Sequence, residues 1–245
     1  RNIYLKSKRY SLIILIMKTI NLAVTLIIFA LTINTYSQFF SGFGLKGGAT
    51  LSNQNYEYKR FDYKPETKYL LGFNGSLFAK FLNNRNINIV LESGFEQRGY
   101  TWVSKPYDEF GNPLPDMDIY ERTNYFTTGM LLKVKISSKK VTPYLLIGPK
   151  LDILLSYSVK PEDENTTLGG FEFPLDEFKK INYSLNLGAG LEFNKLFPFK
   201  TFIEINYSPP VNSSYNGPGL IVKEHYFNVK AGINFVKEKP RMKKR

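Results

Sequence analysis

From Ile181 to Phe193 the chain alternates without a break. Ile181, Tyr183, Leu185, Leu187, Ala189, Leu191 and Phe193 are interleaved with Asn182, Ser184, Asn186, Gly188, Gly190 and Glu192. A period of two marks a strand, and a run of this length spans roughly 40 Å at about 3.3 Å per residue. Strands of globular proteins usually stop sooner. One face is apolar throughout, while the other mixes glycine, amide and carboxylate. That division suits a strand with lipid on one side and a narrow polar interior on the other.

The pattern recurs seven times. Its apolar faces are Phe43, Leu45, Gly47, Ala49 and Leu51; Leu71, Phe73, Gly75, Leu77, Ala79 and Phe81; Ile87, Ile89, Leu91, Ser93 and Phe95; and Phe126, Thr128, Met130, Leu132, Val134 and Ile136. Leu145, Ile147, Pro149, Leu151, Ile153 and Leu155 follow, then Ile203, Ile205 and Tyr207, and finally Phe227, Val229, Ala231, Ile233 and Phe235. Pro149 cannot donate to a ladder, so a bulge is expected there.

The gaps between these segments alternate in length. Long ones run from Asn53 to Thr67, Val103 to Asp118, Val159 to Lys180 and Ser208 to Glu224; short ones lie at Asn83-Asn84-Arg85, Ser137 to Lys140 and Asn194 to Lys200. Long outer loops and tight periplasmic turns give this rhythm. The expected fold is all-β: an eight-stranded antiparallel up-and-down transmembrane β-barrel with long extracellular loops and short periplasmic turns. A secreted β-sandwich or lipocalin-like barrel would also alternate, but with its apolar face inside.

The inward register carries many glycines, which offset bulky neighbours in a lumen only wide enough for side chains. It also carries Lys46, Lys80, Glu92, Glu96, Arg98, Lys133, Lys135, Lys150, Asp152, Glu192, Glu204 and Lys230. An unpaired buried charge costs several kcal/mol, so these groups are expected to pair and fill the lumen as a structural network. No phosphate-cradling loop, metal-ligand cluster or nucleophile elbow is present in the sequence, so no catalytic, cofactor-binding or metal role is assigned; Gly169-Gly170 reads as a turn.

Both ends of the chain differ from the barrel. Met17-Lys18, the apolar run Ile20 to Ile33 and Thr35-Tyr36-Ser37 read as a signal peptide over residues 17–37, cleaved before Gln38. Residues 1–16 read as an upstream extension, and the alternative to the signal peptide is a transmembrane helix from Leu12 to Ile33. Residues 38–236 form the barrel, and 237–245 a basic, disordered periplasmic tail.

Net charge is +12, but its position removes the obvious inference. Arg1, Lys6, Lys8, Arg9 and Lys18 supply five positives and Lys237 to Arg245 a net five more, leaving +2 for residues 38–236. A basic nucleic-acid-binding face is therefore not indicated. Absence of cysteine excludes a disulfide scaffold, a thiolate metal site and a lipoprotein anchor. The chain has 17 Tyr and 20 Phe against one Trp, at a mean hydropathy of −0.24, which suits strands apolar at every second residue better than membrane helices.

The segment Gly44-Leu45-Lys46-Gly47-Gly48-Ala49-Thr50-Leu51-Ser52-Asn53 resembles the porin-family, PorT-like outer-membrane β-barrels of the Bacteroidota type. Glu92-Ser93-Gly94-Phe95 with Arg98-Gly99, Pro143-Tyr144, and Gly188-Ala189-Gly190-Leu191-Glu192 add to that likeness, which covers residues 39–236. The resemblance implies a bacterial outer-membrane location and, in some members, a link to secretion and gliding machinery. It carries no catalytic residues. Its implied partners are outer-membrane lipid, the barrel-insertion machinery and envelope secretion components.

A structural or interaction role is therefore expected, with a small passive channel as the alternative. A lipid-modifying enzyme would have to rely on His225, the only histidine, which reads as a rim residue without a Ser or Asp partner. Asp108-Glu109, Asp116-Met117-Asp118 and Glu162-Asp163-Glu164 read as solvated loop carboxylates. Tyr56, Tyr58, Tyr63, Tyr69, Tyr100, Trp102, Tyr107, Tyr120, Tyr125, Tyr157 and Tyr207 read as an interfacial aromatic girdle.

Overall fold

Eight strands close on themselves in chain order, each antiparallel to the next: β1 (Phe40–Tyr58), β2 (Thr67–Phe81), β3 (Ile87–Ser104), β4 (Met117–Lys135), β5 (Val141–Pro161), β6 (Ile181–Phe193), β7 (Lys200–Ser208) and β8 (Leu220–Phe235). This is a computed structural model, and it describes residues 40–59, 65–82, 84, 86–105, 110–136, 140–161, 178–193, 199–215 and 219–235. The segments read as extension, signal peptide and basic tail lie outside the described residues, as do Tyr63, Tyr107, Asp108-Glu109, Glu162-Asp163-Glu164 and Gly169-Gly170. Closure runs from Phe43 opposite Phe235 to Tyr58 opposite Leu220, so no sheet edge is left open between β1 and β8.

Burial is inverted relative to a soluble protein. Outward Leu77 and Leu71 are 69 % and 63 % exposed, whereas inward Glu96 and Asn228 are 1 % exposed. So many exposed large apolar side chains form a continuous belt, which only lipid can cover at no cost. About 9–11 tilted residues cross a bilayer. β7, with nine residues, is no longer than that, whereas β1, β4 and β5 have 19, 19 and 21.

The long strands extend at the end carrying the long connections, hereafter the loop end. The opposite, turn end carries the connections 82–86, 136–140 and 194–199. At the turn end Phe43, Phe199 and Phe235 pack ring against ring, with centroids 5.4 and 5.2 Å apart. At the loop end Tyr69 meets His225 edge-on at 5.8 Å.

Three features differ from the sequence expectation. Pro149 marks no bulge: the ladder lapses where Gly148 and Pro149 face Met130 and Leu131, but Gly129–Lys150 and Leu132–Ile147 share one register. A strand can lose one amide donor to proline without slipping when both flanks stay paired. The register shifts lie elsewhere, between Tyr69 and Asn74 in β2 against β3 and between Asn124 and Tyr125 in β4 against β5. The second places one extra residue, Leu155, in β5, so the side chains beyond it change faces. Finally, β8 starts at Leu220, which makes Glu224 and His225 strand residues instead of a loop end and a strand start.

Candidate functional site in the barrel interior

Alternation sends every second side chain inward, and antiparallel closure sets which inward side chains face one another across the lumen. At the turn end, Lys133 donates to Glu192 at 3.0 Å, while Lys135 and Lys80 lie 3.6 and 3.8 Å from the same carboxylate. Nearby, Lys46 reaches both Glu204 and Glu92 at 2.5 Å, and the Tyr144 hydroxyl donates to Glu204 at 3.2 Å. The Lys133 ammonium also sits 3.5 Å from the Tyr144 ring centroid, a desolvated cation–π contact.

Two glycines make this layer possible. A Cβ at Gly190 would run into the Tyr144 ring, and one at Gly232 into the Phe202 ring. Phe78, Val90, Leu131, Tyr144, Leu146 and Phe202 form one buried apolar cluster here. Phe78 and Phe202 meet edge to face with centroids 5.6 Å apart. The interior is thus part ion-pair network, part hydrophobic core.

Midway along, Arg98 is the hub. It donates through Nε to Glu96 at 2.7 Å, lies 3.0 Å from Asp152 through Nη2, and donates through Nη1 to Glu224 at 3.4 Å. Its guanidinium also packs on Tyr226 and Tyr125, 3.6 and 4.6 Å from the ring centroids. Lys150 donates to the second oxygen of Glu96 at 2.6 Å. Lys230 is buried and faces Glu204 in the β7–β8 register.

Toward the loop end the chemistry changes from ion pairs to neutral donors on one acid. Trp102 donates through Nε1 to Glu121 at 2.7 Å, the Tyr157 hydroxyl donates to the other oxygen, and Tyr100 also bonds this carboxylate. Tyr56 touches the Tyr100 hydroxyl in turn. Phe178 and Tyr215 continue the aromatic series outward from Tyr157, with centroids 5.0 and 6.1 Å apart.

The girdle expectation therefore fails for five of its residues. Tyr56, Tyr100, Trp102 and Tyr125 share the inward parity of Lys46, Arg98 and Lys133 on their strands, and Tyr157 joins them because the extra residue Leu155 reverses the face. Tyr69 remains outside, where its hydroxyl lies 3.2 Å from His225 Nε2. Asp118, read as a solvated carboxylate, accepts from Lys68 at 2.9 Å. Among the described residues no group of three or more His, Asp or Glu could hold a metal ion.

Two interior acids escaped the sequence reading. Glu121 shares the parity of Lys133, and Glu224 that of Lys230, so counting back by twos along β4 and β8 reaches both. The sequence expectation omits Glu121 because it begins the fourth apolar face only at Phe126, and Glu224 because it ends the last long gap there. Tyr157 had no such signal, since nothing in Leu154-Leu155-Ser156 announces a bulge.

A sequence model described as "Outer membrane protein beta-barrel domain" matches residues 36–216. The chain belongs to that family. The match includes β1 to β7 and thus most of the interior network. No curated protein sequence matches the chain. Among solved structures, it is similar to Ail, the attachment invasion locus protein of Yersinia pestis, at 17% identity and a TM-score of 0.37, covering 80% of this chain and 99% of that one. It is also similar to OprG of Pseudomonas aeruginosa, at 11% identity and a TM-score of 0.43, covering 80% and 97%. Neisserial surface protein A gives 15% identity and a TM-score of 0.40, covering 80% and 99%.

Proposed function

We propose that this outer-membrane barrel neither catalyses nor conducts, and serves the cell envelope as a structural and interaction component. The observation that carries the reading is the packing of the interior: lysine, arginine and carboxylate side chains from facing strands meet at 2.5–3.8 Å and are nearly all buried. Two interior cavities measure about 10 Å³ each, room for a single water. A hydrated ion passing through would have to break several buried pairs at once, each costing roughly 3–5 kcal/mol to leave uncompensated.

With the interior occupied, the outer loops, the turns and the lipid-facing wall are the surfaces left for work. Outer-membrane lipid surrounds the wall, and the barrel-insertion machinery handles the chain after export through a signal peptide cleaved before Gln38. The motifs at Gly44–Asn53 and Gly188–Glu192 favour a PorT-like, Bacteroidota-type role beside envelope secretion components. Crosslinking in membranes, followed by identification of the captured proteins, tests that association.

A passive channel is the second reading. It is favoured by interior amides, since Asn74, Asn88, Asn206 and Asn234 each keep a side-chain polar atom without a partner among the described residues, and water can serve such atoms. Conductance in a planar bilayer separates the two. A heat-modifiable, folded barrel that gives no discrete steps fits the closed interior; reproducible steps altered by Lys133→Ser would establish a channel instead.

A further inference from the structure

The turn end of the interior holds more positive charge than the described side chains balance. Lys80, Lys133 and Lys135 all converge on Glu192, at 3.8, 3.0 and 3.6 Å, and Lys80 and Lys133 are only 3 % and 4 % exposed. One carboxylate thus faces three ammonium groups. Glu204 and Glu92, the next acids, both engage Lys46, and Glu204 also receives the Tyr144 hydroxyl. The sequences connecting strands at this end, residues 82–86, 136–140 and 194–199, contain no Asp or Glu. A buried charge without a counter-charge costs several kcal/mol, so an anion from solution would stabilise the arrangement.

A place for it exists. One interior cavity of about 10 Å³ is lined by Lys46, Lys80, Lys133 and Glu204 together with Phe78 and Phe202, and the Glu204 carboxylate is already engaged by Lys46. That size suits one particle near the dimensions of a water and excludes a phosphate or carboxylate ligand of several heavy atoms. Ammonium groups donate to an anion directly. We infer that this cavity binds one chloride-sized monovalent anion between the ammonium groups of Lys80 and Lys133, adding a second negative charge to the three lysines that share Glu192. Binding here does not depend on whether the interior conducts.

Bromide is the probe. Crystals of the refolded chain soaked in sodium bromide should show an anomalous peak within hydrogen-bond reach of the Lys80 and Lys133 Nζ atoms, and Lys80→Met crystals should not. In urea titrations in detergent at fixed ionic strength, replacing gluconate with bromide should raise the folding constant about tenfold when bromide reaches ten times its dissociation constant. The Lys80→Met protein should show no such dependence. If that variant does not fold, the unsubstituted chain decides alone: no anomalous peak, or a peak without any bromide-specific gain in stability, overturns the proposal.

Discussion

The guanidinium of Arg98 on β3 lies 3.6 Å from the ring centroid of Tyr226 on β8, three strands away round the ring and 128 positions away in sequence. The planar fork packs on that ring while its nitrogens address Glu96, Asp152 and Glu224. One planar cation therefore neutralises carboxylates from three strands, a task that suits arginine and not lysine.

Replacing Arg98 with Met leaves those carboxylates facing Lys150 alone. We expect a loss of about 3–5 kcal/mol, read from urea unfolding in detergent. Arg98→Lys should recover part of it, because charge returns without the fork. Equal stability of all three proteins would show that the hub contributes nothing.

At the turn end, Glu192→Gln strips the shared carboxylate from three lysines, whereas Lys133→Met removes one lysine of the three. The first should cost more than the second. A double-mutant cycle on the pair should return a coupling of ~0.5–3 kcal/mol. A zero coupling would mean that the 3.0 Å contact is energetically empty.

Gly190 admits the Tyr144 ring because it has no Cβ. Gly190→Val should destabilise the barrel by about 1–3 kcal/mol through overpacking. Adding Tyr144→Ala should reverse part of that loss, the opposite of what independent defects would do.

The chain has one tryptophan, so its fluorescence reports on the loop-end cluster alone. Trp102→Phe removes the donor to Glu121 and should cost about 1–3 kcal/mol by leaving that acceptor short of a partner. Glu121→Ala should shift Trp102 emission to longer wavelength as water replaces the carboxylate. An unchanged spectrum would place Trp102 away from Glu121.

His225 contrasts with these positions. It lies on the outer face against Tyr69, so His225→Ala should change stability by no more than about 0.5 kcal/mol. A large loss would mean that the rim contact holds the loop end together.

The faces of the strands were readable because alternation is local. Ile181–Phe193 carries its own division into lipid and lumen sides, and the inward set from Lys46 to Lys230 follows from parity. Parity fails only where a residue is inserted. Leu155 turns Tyr157 inward to Glu121, and the reading of Tyr157 as a girdle residue fails with it. Pro149 shows the converse, since a residue that breaks a local rule was absorbed by pairing on either side.

By itself, then, the sequence determined which side chains meet lipid, how many strands there are and which end bears the long connections. These depend on a period of two and on segment length, both local properties. Only the closed barrel decided which charge meets which. Lys46 finds Glu204 158 positions away, and Arg98 finds Glu224 126 away, because closure and strand stagger bring those side chains to one level of the lumen. The sharing of Glu192 by three lysines has the same origin: adjacency across the lumen is a property of the ring, and no single strand contains it.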